Sequence, residues 1–209
     1  MDITWLGHAS IRVRTRLATV VMDPADKSAG FDMGRPTANI VTVSHQHPFH
    51  ANVAGVRGKP IVIEGPGEYE IQGVQLYGLS AELPASGNGA PQRNTAFVLE
   101  AEGLHLAHLG GMAIAPGEEA ELFSNLDILV LPLSTENGPD PERAARTVRA
   151  LEPAITIPVA YTPGDEQGPL KRFLDSVGIT AEAPVERLSL QRRGGETQRI
   201  VLLEPSRQQ

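Results

Sequence analysis

The sequence predicts an α+β protein made of β-sheets packed against one another, with a few helices outside. Three observations carry that expectation. Short apolar runs, alternating or continuous, recur along the chain and are separated by glycine and proline, the pattern of strands joined by turns. Only two stretches combine a start signal, an apolar stripe and a stop signal for a helix, and both lie late in the chain. Strands in runs with helices added late imply packed sheets rather than a regular strand-helix alternation.

Taken in order, residues 3–6, 11–13 and 19–22 form a meander broken at Gly7 and around Arg16. Its third strand ends in Asp23-Pro24, which places a carboxylate at a strand terminus facing a loop. Residues 24–39 are irregular and long enough to cover a cleft. Residues 40–44 are a β-branched apolar strand, 52–56 a helical turn, and 60–63 another strand before the turn Gly65-Pro66-Gly67. Residues 68–71 and 74–79 pair around Gln72-Gly73, and residues 95–100 and 104–108 pair around Glu102-Gly103. Between these hairpins, residues 80–93 show no period and read as a loop. A short helix is expected over 117–125, after Pro116, and a buried strand over 127–131. Asp140-Pro141-Glu142 is a capping aspartate followed by proline at the first helical position, and Ala144, Ala145, Val148 and Leu151 supply the apolar stripe. Residues 154–159 return to strand, a last helix covers 169–177 and stops at Gly178, and residues 188–190 and 199–203 close as a hairpin through Gly194-Gly195. Residues 1–209 read as a single domain.

Composition narrows the function classes. A chain of 209 residues with a hydrophobic fraction of 41% builds a substantial core and is not disordered. No apolar run approaches the roughly 18 residues that span a bilayer, and the N-terminus lacks a signal-peptide profile. The expectation is a cytoplasmic protein with no membrane partner. Without cysteine, disulfides, thiolate nucleophiles and cysteine zinc sites are excluded. A net charge of −7 argues against nucleic acid. No Gly-X-Ser-X-Gly elbow is present, and the glycine-rich pieces lack the Lys-Ser/Thr ending of a phosphate-binding loop.

The chemistry concentrates in one stretch. After the strand at 40–44, Ser44-His45-Gln46-His47-Pro48-Phe49-His50 puts three of the six histidines on a loop interrupted by proline. Neutral imidazole is a strong ligand for zinc and its neighbours, so His45, His47 and His50 are candidate metal ligands. A histidine-rich polar loop without metal is the plainer alternative.

Trp5-Leu6-Gly7-His8-Ala9-Ser10, the Asp23-Pro24 strand end, the loop 43–50, Gly65-Pro66-Gly67-Glu68-Tyr69-Glu70, Arg93-Asn94-Thr95 and His108-Leu109-Gly110 together resemble the metallo-β-lactamase superfamily. The branch most similar is that of small metal-dependent hydrolases related to the lactonase that opens L-ascorbate 6-phosphate. The resemblance covers nearly the whole chain and implies a four-layer αββα sandwich with the metal site at one edge, between the sheets. It also implies seven ligands, four of which this sequence lacks. Phe49 stands where the loop has an aspartate, residues 80–93 hold no histidine, Gly111 replaces a bridging aspartate, and Ala160 replaces a histidine before Tyr161. By the same resemblance, His45 and His47 belong to one metal and His50 to the other. Asp23 supports an imidazole, and Phe49 fills space meant for the second metal. His8, Glu82 and Tyr161 are further residues expected in or near the cleft, with Glu82 as a substitute oxygen ligand. His108 matches a family block without being a ligand there.

Three readings follow. In the first, the dinuclear site has degenerated, zinc or another divalent metal is held weakly or not at all, and the protein binds a small molecule or a partner. In the second, it is a hydrolase of lactones or phosphoesters using one metal on His45, His47, His50 and a carboxylate outside the motif. In the third, it is an assembly subunit, a homo-oligomer whose interface needs no ligands.

Overall fold

The computed structural model describes residues 1–83, 92–111, 123–133, 140–191 and 197–206, with the side chains of Ala81, Glu82 and Gln92 excepted. The strands are β1 (Asp2–Gly7), β2 (Ser10–Arg14), β3 (Thr19–Met22), β4 (Ile40–Thr42), β5 (Ile61–Ile63), β6 (Gly67–Ile71), β7 (Val74–Leu83), β8 (Gln92–Ala101), β9 (Leu104–His108), β10 (Ile128–Pro132), β11 (Ile155–Val159), β12 (Leu188–Ser189) and β13 (Arg199–Ile200). The helices are α1 (Pro141–Leu151) and α2 (Pro169–Val177).

Two mixed sheets result. One has the order β12-β1-β2-β3-β4-β5 and the other β13-β11-β10-β9-β8-β7-β6. One apolar cluster joins their facing sides, running from Trp5, Ile11 and Met22 of the first sheet to Leu76, Leu99, Leu106 and Val130 of the second. Strand β10 is wholly buried and continuous in apolar residues, as expected of a strand covered on both faces. Helix α1 is the crossover between the parallel strands β10 and β11. It starts where the sequence predicts, with the Asp140 carboxylate accepting from the Glu142 and Arg143 backbone N–H groups, each at 3.0 Å. Its Ala144, Ala145 and Val148, with Phe173 of α2, join the same core. The other outer face is covered by a smaller cluster in which Met33, Ala38 and Val56 pack on Leu6, Val21, Val41 and Val43. That outer layer contains 3₁₀ turns at Lys27–Ala29 and Val53–Gly55. Among the described residues, no helix is long and apolar enough to cross a membrane.

Three sequence expectations need correction or fall outside view. The closing hairpin does not form: β12 pairs antiparallel with β1 in one sheet, while β13 pairs parallel with β11 in the other. The Gly-Gly turn signal is local, but each two-residue strand finds its backbone partner in a distant, already ordered edge. A further hairpin that the sequence reading did not include joins the two expected ones: β7 continues to Leu83 and pairs with β8 from Gln75↔Glu100 to Leu83↔Gln92. Residues 80–83 and 92–93 are therefore strand rather than loop. Most of the helix expected over 117–125 lies outside the described residues.

Candidate functional site

The topology gathers the ends of several strands at one point. β3 and β4 run parallel, so Asp23 and Ser44 emerge side by side just past their C-terminal ends. The Asp23 N–H donates to the Thr42 carbonyl at 2.9 Å. From the second sheet, β9 ends in His108, and the start of β8 brings Asn94 and Thr95. The Thr95 N–H donates to the Ser44 carbonyl at 2.7 Å, which ties the two sheets together at this spot. Openings beyond the carboxyl ends of parallel strands are common places for sites. Backbone strain collects here as well: His8, Asp23 and Ala160 have φ of +47°, +50° and +59°, a region rarely adopted by such residues.

Asp23 is the centre of a buried polar network. Its Oδ1 accepts from the Ser44 backbone N–H at 2.7 Å. Its Oδ2 lies 2.5 Å from the Ser44 hydroxyl and 2.7 Å from His50 Nδ1. Burial works to raise the Asp23 pKa, yet the neighbouring His50 and His108 and the hydrogen bonds from His50 and Ser44 prevail and hold it well below the ordinary carboxylate range. The Ser44 hydroxyl also reaches His45 Nδ1 at 2.9 Å. His45 and His50 thereby meet, their ring centroids 4.1 Å apart, and the buried Nε2 of each has no hydrogen-bond partner.

The other candidates are placed as follows. His47 sits further out, 6.1 Å from His45 and 6.2 Å from His50 between ring centroids, and its Nδ1 accepts from the Phe49 N–H at 3.3 Å. The Phe49 ring stands edge-on to His8 at 5.0 Å and to His47 at 4.7 Å. His8 lies 5.3 Å from His50, and its buried Nδ1 is unpartnered. Burial, followed by the field of His50, lowers the pKa of both His8 and His45 to about 4, so both are neutral near pH 7. Asn94 lies beside His45 and favours its charged form, but no hydrogen bond reaches Nε2. Tyr161 is not brought to the histidines. Its ring stacks on Trp5 at 4.9 Å and lines a separate cavity of about 300 Å³ with Leu170, Pro184, Leu203 and Pro205, where burial pushes its phenol up to about 12. Glu82 lies on β7, and its side chain is outside the described residues.

Three residues of this network were given no part in the site by sequence reasoning. Ser44 bridges Asp23 and His45. His108 is buried, donates from Nε2 to the Ala9 carbonyl at 2.9 Å and lies 3.9 Å from Asp23. Asn94 holds the turn after β9, donating to the Leu109 carbonyl and accepting from the Gly111 N–H, each at 3.0 Å. Gly110 has φ +62°, and a Cβ there would stand 2.4 Å from Ser44 Cβ. Beforehand, Ser44 was visible by its position between an apolar strand and the first histidine, and Asn94 and His108 as members of blocks that carry the family resemblance.

The unpartnered Nε2 atoms of His45 and His50 are donors of the kind that binds zinc, two where a dinuclear site needs many more. Among the described residues, no three histidine, aspartate or glutamate side chains are disposed to hold a metal, whereas catalytic zinc takes about three protein ligands and an open position.

The comparisons with known proteins agree with this architecture. The family described as Beta-lactamase superfamily domain matches residues 2–160. A UPF0173 metal-dependent hydrolase of Methanopyrus kandleri is 25% identical, the match covering 88% of this chain and 96% of that protein. A UPF0173 protein of Pyrococcus furiosus is 24% identical, over 81% of this chain and 87% of its own. Among solved structures, a Thermotoga maritima protein assigned to the Zn-dependent hydrolases of the metallo-β-lactamase superfamily superposes with TM-score 0.75 at 28% identity, covering 97% of this chain and 98% of that one. A metallo hydrolase from Ignicoccus hospitalis, 16% identical, shares the fold with TM-score 0.58 over 85% of this chain and 90% of its own. The paired sheets, the polar network at their strand ends and these matches lead to one conclusion: the chain belongs to the metallo-β-lactamase superfamily, among relatives named metal-dependent hydrolases.

Proposed function

We propose that this protein is a cytoplasmic, hydrolase-like member of its family whose metal site has degenerated, so that its cleft serves as a small-molecule binding module. It holds at most one divalent ion, weakly, on His45 and His50. The observation that carries the reading is the Phe49 ring, set edge-on between His8 and His47. An apolar ring there adds no ligand and occupies space that metal-bound waters would need. The bond from the Phe49 N–H to His47 Nδ1 supports the same reading, since it turns the lone pair of that ring toward the backbone and a metal would have to displace it.

The test is metal content of untagged protein purified without chelator, with thermal unfolding in the presence and absence of zinc. An ion present at 100 times its Kd adds about 2.7 kcal/mol to stability, roughly 5–11 °C for a chain of this size. The expected result is substoichiometric metal and a zinc-induced shift below about 3 °C, abolished in His45→Ala. Phe49→Asp, which restores a carboxylate beside His47, is expected to enlarge the shift. About one ion per chain, retained through purification and lost in His45→Ala, overturns the proposal in favour of a single-metal hydrolase, and lactones and phosphoesters become the substrates to screen.

A further inference from the structure

We propose that Ser44 is a positioning residue that relays Asp23 to His45, so that one carboxylate sets the tautomer of both imidazoles. The proposal rests on the reading of His45 and His50 as the ligand-facing pair, but its own basis is the hydrogen-bond geometry.

The contacts of Asp23 are all with groups able to donate, the Ser44 N–H, the Ser44 hydroxyl and His50 Nδ1, so its carboxylate is the acceptor in each. Its Oδ2 lies 2.5 Å from Ser44 Oγ, a separation that requires a proton between the two oxygens, and the only one available is the serine's. Ser44 has a single O–H, so toward His45 Nδ1, 2.9 Å away, its oxygen can only accept. His45 therefore carries its proton on Nδ1. His50 donates its own Nδ1 proton to Asp23 directly, at 2.7 Å. In both rings the lone pair is left on Nε2, the buried and unpartnered atom. Histidine in water favours the opposite, Nε2–H form, so the network holds both rings in the less common tautomer. His47 provides a contrast in the same loop, because its Nδ1 accepts from Phe49 and its proton belongs on Nε2.

The consequence is a choice of ligand chemistry. Imidazoles that present Nε2 lone pairs receive a divalent cation and offer no proton to an anion. The tautomer of a metal-binding imidazole is generally set by the bond its other nitrogen makes. Here two such bonds converge on one carboxylate, the second through a hydroxyl.

The test uses the full chain, ¹⁵N-labelled and metal-free in chelator at about pH 8, above the histidine range. Long-range ¹H–¹⁵N spectra of the imidazoles are expected to show His45 and His50 as Nδ1–H and His47 as Nε2–H. Ser44→Ala is expected to move His45 to Nε2–H, leave His50 unchanged and weaken zinc binding roughly tenfold. Asp23→Asn puts an N–H₂ donor where Oδ2 was, and is expected to invert both rings. Wild-type His45 as Nε2–H, or a Ser44→Ala spectrum with His45 unchanged, overturns the relay. The expected tautomers in a protein that retains about one ion per chain through purification support the relay and overturn the degenerate site of the preceding proposal, so the two fail separately.

Discussion

Removing the Asp23 carboxylate is the most informative perturbation of stability. In Asp23→Ala, three buried donors lose their acceptor: the Ser44 N–H, the Ser44 hydroxyl and the His50 Nδ1–H. The hydroxyl can turn to His45 and the imidazole can move its proton to Nε2, but the backbone N–H of Ser44 has no alternative. One orphaned buried donor costs about 1–3 kcal/mol, and the lost bonds to an ionised acceptor were each worth about 1.5–3 kcal/mol. The release of Asp23 from its buried position offsets part of this. The expected net loss is about 3 kcal/mol, near the low end for breaking a buried pair, or roughly 6–12 °C in Tm at this chain length. Asp23→Asn keeps the shape, retains Oδ1 for the Ser44 N–H and keeps both Nδ1 atoms and the Ser44 hydroxyl paired once both imidazoles change tautomer, at the cost of an unpartnered Nε2–H on each ring. Its expected cost is smaller than that of Asp23→Ala, about 1–2 kcal/mol. Urea unfolding in chelator, followed by circular dichroism, measures both. A loss under about 1 kcal/mol in Asp23→Ala, or equal losses in the two variants, refutes the reasoning.

Two further outcomes follow from the same residues. His8 and His45 titrate at about 4 in the folded chain, against 6.5 when unfolded, so between those values the unfolded state binds more protons. Metal-free protein is therefore expected to lose stability as pH falls from 6.5 to 4, by up to about 1.4 kcal/mol per pH unit for each histidine; urea midpoints that stay flat across this window contradict it. Gly110→Ala places a Cβ 2.4 Å from Ser44 Cβ on a backbone at φ +62°, and is expected to cost more than about 2 kcal/mol through strain and displacement of Ser44, measured by the same unfolding assay.

How much of this was legible beforehand depends on how local each signal is. Helix α1 was readable because its cap, its proline and its stripe lie within a dozen consecutive residues, and its packing on the sheet agrees with them. The histidine loop was readable because the histidines are adjacent in sequence and follow a β-branched strand. The end of β7 was not, since Ser80, Ala81 and Glu82 carry no apolar period, and their strand conformation comes from pairing with β8. Partners such as His108 and Asn94 come from the opposite sheet; their segments stand in the family blocks, but neither segment shows that its side chain meets Asp23 or Ser44. The distinct roles of the three histidines were hidden for another reason. Each role is set by what Nδ1 touches, and that depends on the tertiary position of Asp23, Ser44 and the Phe49 backbone.

The bond from Thr95 N–H to the Ser44 carbonyl gives the cluster a mechanical meaning. It is a rivet through both halves of the sandwich, fastened from one sheet by Asp23 and from the other by β8. The backbone beside the imidazole pair is therefore held by bonds from both sheets. Ser44 thereby stands where a displacement of either sheet would be passed to His45 through its own backbone.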